Sequence, residues 1–298
     1  LKVKCNYDIV ICGGGMIGAA LANQLAPHGF SIALVEGQTP TDYDLSQKFD
    51  LKVCALSPKS AQIMQQSSAW DILQGMRLCP YKRMRVWEMD GFGDLTFNAN
   101  QVGMLELGHI VENRLVQLSL WQALESHENV AVICPASPIR FNRHGDVTNV
   151  VLDNGQHLSA RLVVGADGAQ SKVREAFGVG VNRGQYQQAC LVASVNTQLG
   201  QQDITWQRFV NTGPQAFLPL LGQHGSVVWY HQADRARALS NLSHEDLSTE
   251  IMTHFPPLLG PAAAFECIFK GESCQWQNVA SLAGVGLACL LDISQLTS

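Results

Sequence analysis

Tyr7-Asp8-Ile9-Val10-Ile11-Cys12-Gly13-Gly14-Gly15-Met16-Ile17-Gly18 decides the fold of this 298-residue chain. An apolar run, Tyr7 to Cys12, enters three glycines and leaves as a helix-like stretch, Met16 to His28. A strand that turns through glycines into a helix gathers bare backbone N–H groups and the positive end of the helix dipole at one point. Gly13 permits the tight turn, Gly15 lets a pyrophosphate approach the backbone, and Gly18 lets helix and strand pack closely. A second apolar run, Ser31 to Val35, ends in Glu36. A carboxylate about 20 residues beyond the glycines accepts hydrogen bonds from a ribose diol. Glycines alone are a weak signal. Strand, turn, helix, strand and acid in this order predict dinucleotide binding.

The composition sets the bounds around that motif. Hydrophobic residues make up 46% and charged residues 15%, which reads as globular and well buried. The length suits one large or two ordinary domains. Net charge is −5 and no lysine or arginine run occurs, so no nucleic-acid partner is expected. Nine cysteines lie scattered without a Cys-x-x-Cys pair, which predicts reduced thiols in a cytosol-like compartment and no metal site. The nine histidines show no ligand spacing, and no catalytic residue is assigned. The first residues enter a strand almost at once, so no secretory signal is expected. Val279 to Leu291 is the longest apolar stretch, too short to span a bilayer, and reads as a buried strand. A soluble, cytoplasmic protein is the expectation.

Further along, Ser57-Pro58 predicts a helix start, with Ser57 as cap and Pro58 at the first helical position. Asn113 precedes Leu115, Leu118, Trp121 and Leu124, an apolar stripe at helical spacing that ends near His127. Val130 to Cys134 reads as a strand. Ile139 to Leu152 and Gln156 to Val164 read as hairpin strands, punctuated by Gly145 and by Asn154-Gly155. Leu162 to Ala166 then forms a strand, Asp167-Gly168 a turn, and Ser171 the cap of a short helix, Lys172 to Phe177, stopped by Gly178. Near Gly180 the pattern changes to aromatic-bearing β segments: Leu191 to Val195, Thr205 to Val210, Ala216 to Leu220 and Ser226 to Tyr230. They predict a separate sheet, with Trp206, Phe217, Trp229 and Tyr230 read as its core in preference to a stacking cage. Ser243 to Phe255 is an amphipathic helix stopped by Pro256-Pro257. On the residues alone, Arg114 and Gln117 read equally as solvated helix positions or as cofactor contacts, and Asp167-Gly168 reads more often as an ordinary turn.

Taken together, Gly13-x-Gly15-x-x-Gly18, Asp50-Leu51-Lys52, Glu112-Asn113-Arg114 and Gly165-Ala166-Asp167-Gly168-Ala169-x-Ser171-x-Val173-Arg174 resemble the FAD-dependent aromatic hydroxylases. Trp70-Asp71, Met76-Arg77, Pro80-Tyr81, Trp87-Glu88 and Phe217-Leu218-Pro219-Leu220 resemble the ubiquinone-biosynthesis branch, in its subgroup acting on a demethoxy benzoquinol. The resemblance runs from about Asp8 to about Gly260. It implies an α/β fold: a Rossmann-like FAD-binding domain with an inserted β-meander (residues 1–75, 106–178 and 276–298) plus a mixed or antiparallel-sheet substrate domain (76–105 and 179–275).

The same resemblance implies the site and its chemistry. Gly13, Gly15, Met16 and Gly18 would hold the FAD pyrophosphate and Glu36 the adenosine ribose. Arg114 and Gln117 would face the flavin side, and Asp167 with Gly168 would lie near the pyrophosphate and ribityl chain. Lys52 stands where the family usually carries arginine, which keeps the charge and loses the bidentate fork. The implied reaction hydroxylates a polyprenyl quinol or phenol with O2 through a flavin C4a-hydroperoxide, after reduction by transient NAD(P)H or another donor. The polyprenyl tail implies peripheral contact with the inner membrane or a ubiquinone-biosynthesis complex.

After Gly260 the resemblance fades. Family members carry a strand ending in Gly-Asp followed by a cofactor-binding helix; here Leu291-Asp292 falls at that place, with Asp292 the matching cofactor residue and six residues after it. The chain therefore reads as truncated. Two other readings stand beside the monooxygenase: a catalytically inactive remnant that folds, with or without nucleotide binding, and an FAD-dependent reductase or dehydrogenase.

Overall fold

The computed structural model describes residues 5–181, 188–257, 266–268 and 277–278. Along the chain run β1 (Tyr7–Cys12), α1 (Met16–Leu25), β2 (Ile32–Val35), β3 (Val53–Leu56), α2 (Pro58–Gln65), α3 (Ala69–Gln74), β4 (Leu78–Tyr81), β5 (Arg83–Glu88), β6 (Asp94–Asn98) and β7 (Gly108–Glu112). Then follow α4 (Asn113–Leu124), β8 (Val130–Ile133), β9 (Pro138–His144), β10 (Val147–Leu152), β11 (His157–Gly165) and α5 (Lys172–Ala176). The rest comprises β12 (Gln188–Asn196), β13 (Ile204–Val210), β14 (Gly213–Pro219), β15 (His224–Gln232), α6 (Ala233–Ser240), α7 (His244–His254), β16 (Glu266–Ile268) and β17 (Gln277–Asn278). Two compact units result. One contains Leu1–Asp44, Ser60–Met76 and Asn113–Arg183; the other contains Leu45–Lys59, Arg77–Glu112 and Gly184–Ser298. Residues 106–112 group with the second unit, because β7 pairs with β3 and β4 in a three-stranded sheet.

The first unit is a six-stranded sheet in the order β8-β2-β1-β11-β10-β9. Its parallel strands β1 and β2 are covered on both faces, which is why they read as continuous apolar runs. On one side α1 packs against α4, and buried Asn23 of α1 donates its side-chain amide to the Leu120 carbonyl of α4 at 3.0 Å. Val10, Cys12, Val35, Val150, Leu152 and Val173 share one apolar cluster of this unit. The two strand segments expected between Gln156 and Ala166 are one strand. The first half of β11 pairs antiparallel with β10, and its second half runs parallel to β1.

In the second unit the main sheet follows the order β16-β12-β15-β14-β13-β5-β6, with β17 also pairing β12. β12 to β15 form antiparallel pairs, whereas β5 lies parallel to β13, so the sheet is mixed. Trp206, Phe217 and Trp229 are buried with Leu239, Leu247, Ile251 and Phe255 of the flanking helices, while Tyr230 is half-buried. Ser243 caps α7 by accepting from the Asp246 N–H at 3.1 Å. Asp292 and the apolar run Val279 to Leu291 lie outside the described residues.

Candidate functional site

β1 ends and α1 begins around Gly13-Gly14-Gly15, at the carboxyl end of the parallel strands. Gly13 adopts φ +106°, and a Cβ there would collide with the Ala166 carbonyl. A Cβ on Gly18 would collide with the Gly13 oxygen, with the Ala166 methyl 3.2 Å away. Both positions therefore need glycine for packing within the protein. Gly15 differs: no atom lies within 4 Å of where its Cβ would stand. The space beside the opening turn of α1 is free, and the helix starts at Met16 with no side-chain cap. Backbone donors at a helix N-terminus beside free space fit a diphosphate.

Glu36 lies at the end of β2, and its carboxylate turns back onto this loop. Oε2 accepts from the Gly14 N–H at 2.6 Å, and Oε1 from the Gly37 and Gln38 N–H groups at 2.8 and 3.1 Å. A carboxylate offers about four lone-pair sites, so three amides leave capacity for a ribose hydroxyl. From the other side, Gln117 Nε2 and Trp121 Nε1 of α4 donate to the Gly14 carbonyl at 2.8 and 2.7 Å. The structure thus brings Gly13, Gly15, Met16, Gly18, Glu36 and Gln117 together. Asp167 joins them through its backbone, which packs against Gly13.

Other sequence-derived residues make different contacts. The Asp167 carboxylate accepts from Ser171 Oγ and from the N–H groups of Lys172 and Val173, so it organises the start of α5. Gly168 follows at φ +75°. Beneath the loop, burial and the nearby Asp167 charge push the Cys12 thiol up to about 12, which keeps it neutral and inert. Arg114 points its guanidinium at the carbonyls of Thr41 and Asp42, at 2.9 and 3.1 Å, and tethers the segment after β2. Lys52, in the second unit, is exposed.

Sequence reasoning missed two parts of this arrangement. Trp121 reads as one more apolar position in the α4 stripe, although its indole N–H is a donor one helical turn from Gln117. The pattern also gives no hint of the buried pair in the second unit, Arg77 with Glu112. Arg77 Nη2 donates to Glu112 Oε1 at 3.0 Å, and Nη1 to the Gln47 carbonyl at 2.7 Å. Glu112 Oε1 also accepts from the Asp50 N–H at 2.8 Å, and the guanidinium lies 4.2 Å from the centre of the Phe49 ring. These contacts fix the segment leading into Lys52.

The family model described as FAD binding domain matches residues 6–266. The 3-demethoxyubiquinol 3-hydroxylase of Escherichia coli (strain K12) is 41% identical over 253 residues, covering 85% of this chain and 64% of that protein. The mitochondrial ubiquinone biosynthesis monooxygenase COQ6 of Xenopus tropicalis is 33% identical over 264 residues, covering 84% and 56%. The chain thus spans less than two thirds of the length of these curated relatives. Among solved structures, a variant of PqsL from Pseudomonas aeruginosa superposes with a TM-score of 0.74 at 21% identity, over 97% of this chain and 84% of that one. The p-nitrophenol 4-monooxygenase PnpA of Pseudomonas putida DLL-E4 gives 0.66 at 14% identity, over 88% and 66%. At such identities the likeness is one of fold.

Proposed function

We infer the activity from one premise: this chain belongs to the family described as FAD binding domain. The reading that fits best is an FAD-dependent monooxygenase that hydroxylates a polyprenylated benzoquinol ring in ubiquinone biosynthesis. The observation that carries it is the sequence identity to the Escherichia coli demethoxyubiquinol hydroxylase, which extends across both units.

FAD, when bound, would supply the oxygen chemistry, with NAD(P)H or another transient donor as the source of electrons. The chain's own work is to bind, orient and exclude water. In this proposal the first unit holds the cofactor, with the N–H groups of Gly15 and Met16 on the diphosphate and Glu36 on the adenosine ribose. The second unit receives the quinol ring. A quinol ring is already electron-rich, so the proposal requires no dedicated base. A polyprenyl substrate also brings the enzyme to a membrane surface or to a partner that carries the lipid. No helix among the described residues is long and apolar enough to cross a membrane, while Met89 and Phe92 at the β5–β6 turn are exposed.

Oxygen uptake by the purified, FAD-loaded protein is the test. Uptake that depends on a polyprenyl quinol and yields a hydroxylated ring supports the reading. Flavin reduction and quinone turnover without hydroxylated product would make the chain a reductase, and protein that cannot be loaded with FAD would make it an inactive remnant. Glu36→Ala is expected to weaken FAD binding by on the order of 1–3 kcal/mol, through unpaired ribose hydroxyls. Its Gly14 contact adds to the loss, since the loop amide then has no carboxylate. Isothermal titration against the parent protein measures it, and an unchanged dissociation constant removes Glu36 from the site.

A further inference from the structure

Gln117 and Trp121 stand one turn apart on α4, where positions i and i+4 share a face. Both aim an N–H at one acceptor, the carbonyl oxygen of Gly14, which has two lone pairs to receive them. The Gly14–Gly15 peptide is trans, so its N–H points opposite to its C=O. Two donors on the carbonyl therefore set the direction of the Gly15 N–H, away from α4. On the preceding peptide, the Gly14 N–H is held by Glu36. The Trp121 ring also fills the space beside Gly14, with Cζ2 2.9 Å from where a Cβ would stand. Three consecutive glycines have unusual backbone freedom. A rotated Gly14–Gly15 peptide would present a carbonyl oxygen where a donor is needed, repelling phosphate oxygens.

We propose that Gln117 and Trp121 are positioning residues that lock the Gly14–Gly15 peptide with its N–H toward the cofactor diphosphate. Neither residue has to touch the cofactor. The inference rests on the FAD reading above and assigns the two side chains a role through the loop. It extends to any ligand that brings a diphosphate to this turn, and not to a bare nucleoside.

Trp121→Phe keeps an aromatic ring and removes the N–H; Gln117→Met keeps chain length and removes the amide. FAD and ADP are titrated calorimetrically into the full chain, and adenosine is followed by ligand-observed NMR. Each single variant is expected to raise the dissociation constants of FAD and ADP about tenfold, and the double variant further. Adenosine affinity and the melting temperature of the cofactor-free protein stay near those of the parent. Unchanged FAD and ADP binding in the double variant overturns the lock and leaves the FAD reading intact. Parallel loss of adenosine binding also overturns it, since general loosening of the unit would then account for the effect. A parent protein that binds no FAD ends both. Should the double variant not fold, Trp121→Phe alone decides by the same comparison.

Discussion

Gly15→Val is expected to leave the cofactor-free protein folded and to abolish FAD binding. The backbone at Gly15, φ −66° and ψ −174°, is extended and open to any residue. Free space surrounds its Cβ position, so the branched side chain meets no protein atom within 4 Å at its first carbon. A weaker helix cap costs about 1 kcal/mol, which the fold can absorb. The same side chain occupies the volume a diphosphate needs against the loop amides. Losing two charge-assisted hydrogen bonds, each about 1.5–3 kcal/mol, weakens binding by at least about 3 kcal/mol. Circular dichroism and the flavin-to-protein ratio measure the two halves of this expectation. Flavin retained near unit stoichiometry would place the diphosphate elsewhere. Gly14→Ala makes the opposite contrast: its methyl meets Glu36 Cβ at 2.8 Å and the Trp121 ring at 2.9 Å, so it strikes the fold itself.

Arg77→Met is expected to destabilise the second unit by about 3–5 kcal/mol, the usual cost of stranding one member of a buried ion pair. Arg77 is 6% exposed and Glu112 1%, so solvent cannot take over the lost contact. The carbonyls of Gln47 and Lys48 lose a donor in the same step. A fall in melting temperature of roughly 6–15 °C would follow for a chain of this size. Arg77→Met combined with Glu112→Leu is expected to recover much of the loss, because the buried charge then goes with its partner. Thermal unfolding of both variants checks this. A single variant as stable as the parent would show that the pair contributes nothing net, and that the 47–50 segment is held by Phe49 packing.

These two expectations also separate what sequence can and cannot convey. The Tyr7–Gly18 stretch was legible because strand, turn and helix there are local, and the glycines at positions 13 and 18 answer short-range contacts. Strands β12 to β15 were legible as aromatic-bearing apolar segments, and Ser171 and Ser243 from cap chemistry. Arg77 and Glu112 were not, since their meeting depends on β4 and β7 pairing across the intervening strands β5 and β6. Short strands such as β5 and β6 carry mixed polar residues with no clean period. Trp121 illustrates a subtler loss: burial and hydrogen bonding call for the same residue, and periodicity reports only burial. Gln117 and Arg114 lie on α4, and Asp167 just before α5, as the pattern of elements predicts. Their partners, the Gly14 carbonyl, the 41–42 carbonyls and the first amides of α5, are backbone atoms that no residue pattern encodes.

β11 belongs at once to the meander and to the parallel sheet, and that double membership limits how the gene can change. A one-residue deletion anywhere between His157 and Gly165 would slip its alignment with β10 or with β1, reverse which side chains face the core, and carry Asp167 away from Gly13. Length changes are tolerable at Gly145 and at Asn154-Gly155, where the turns meet open space. A scan of single-residue insertions and deletions scored for soluble expression should show a silent window across β11 preceded by permissive turns; survivors inside that window would mean that the two alignments are independent.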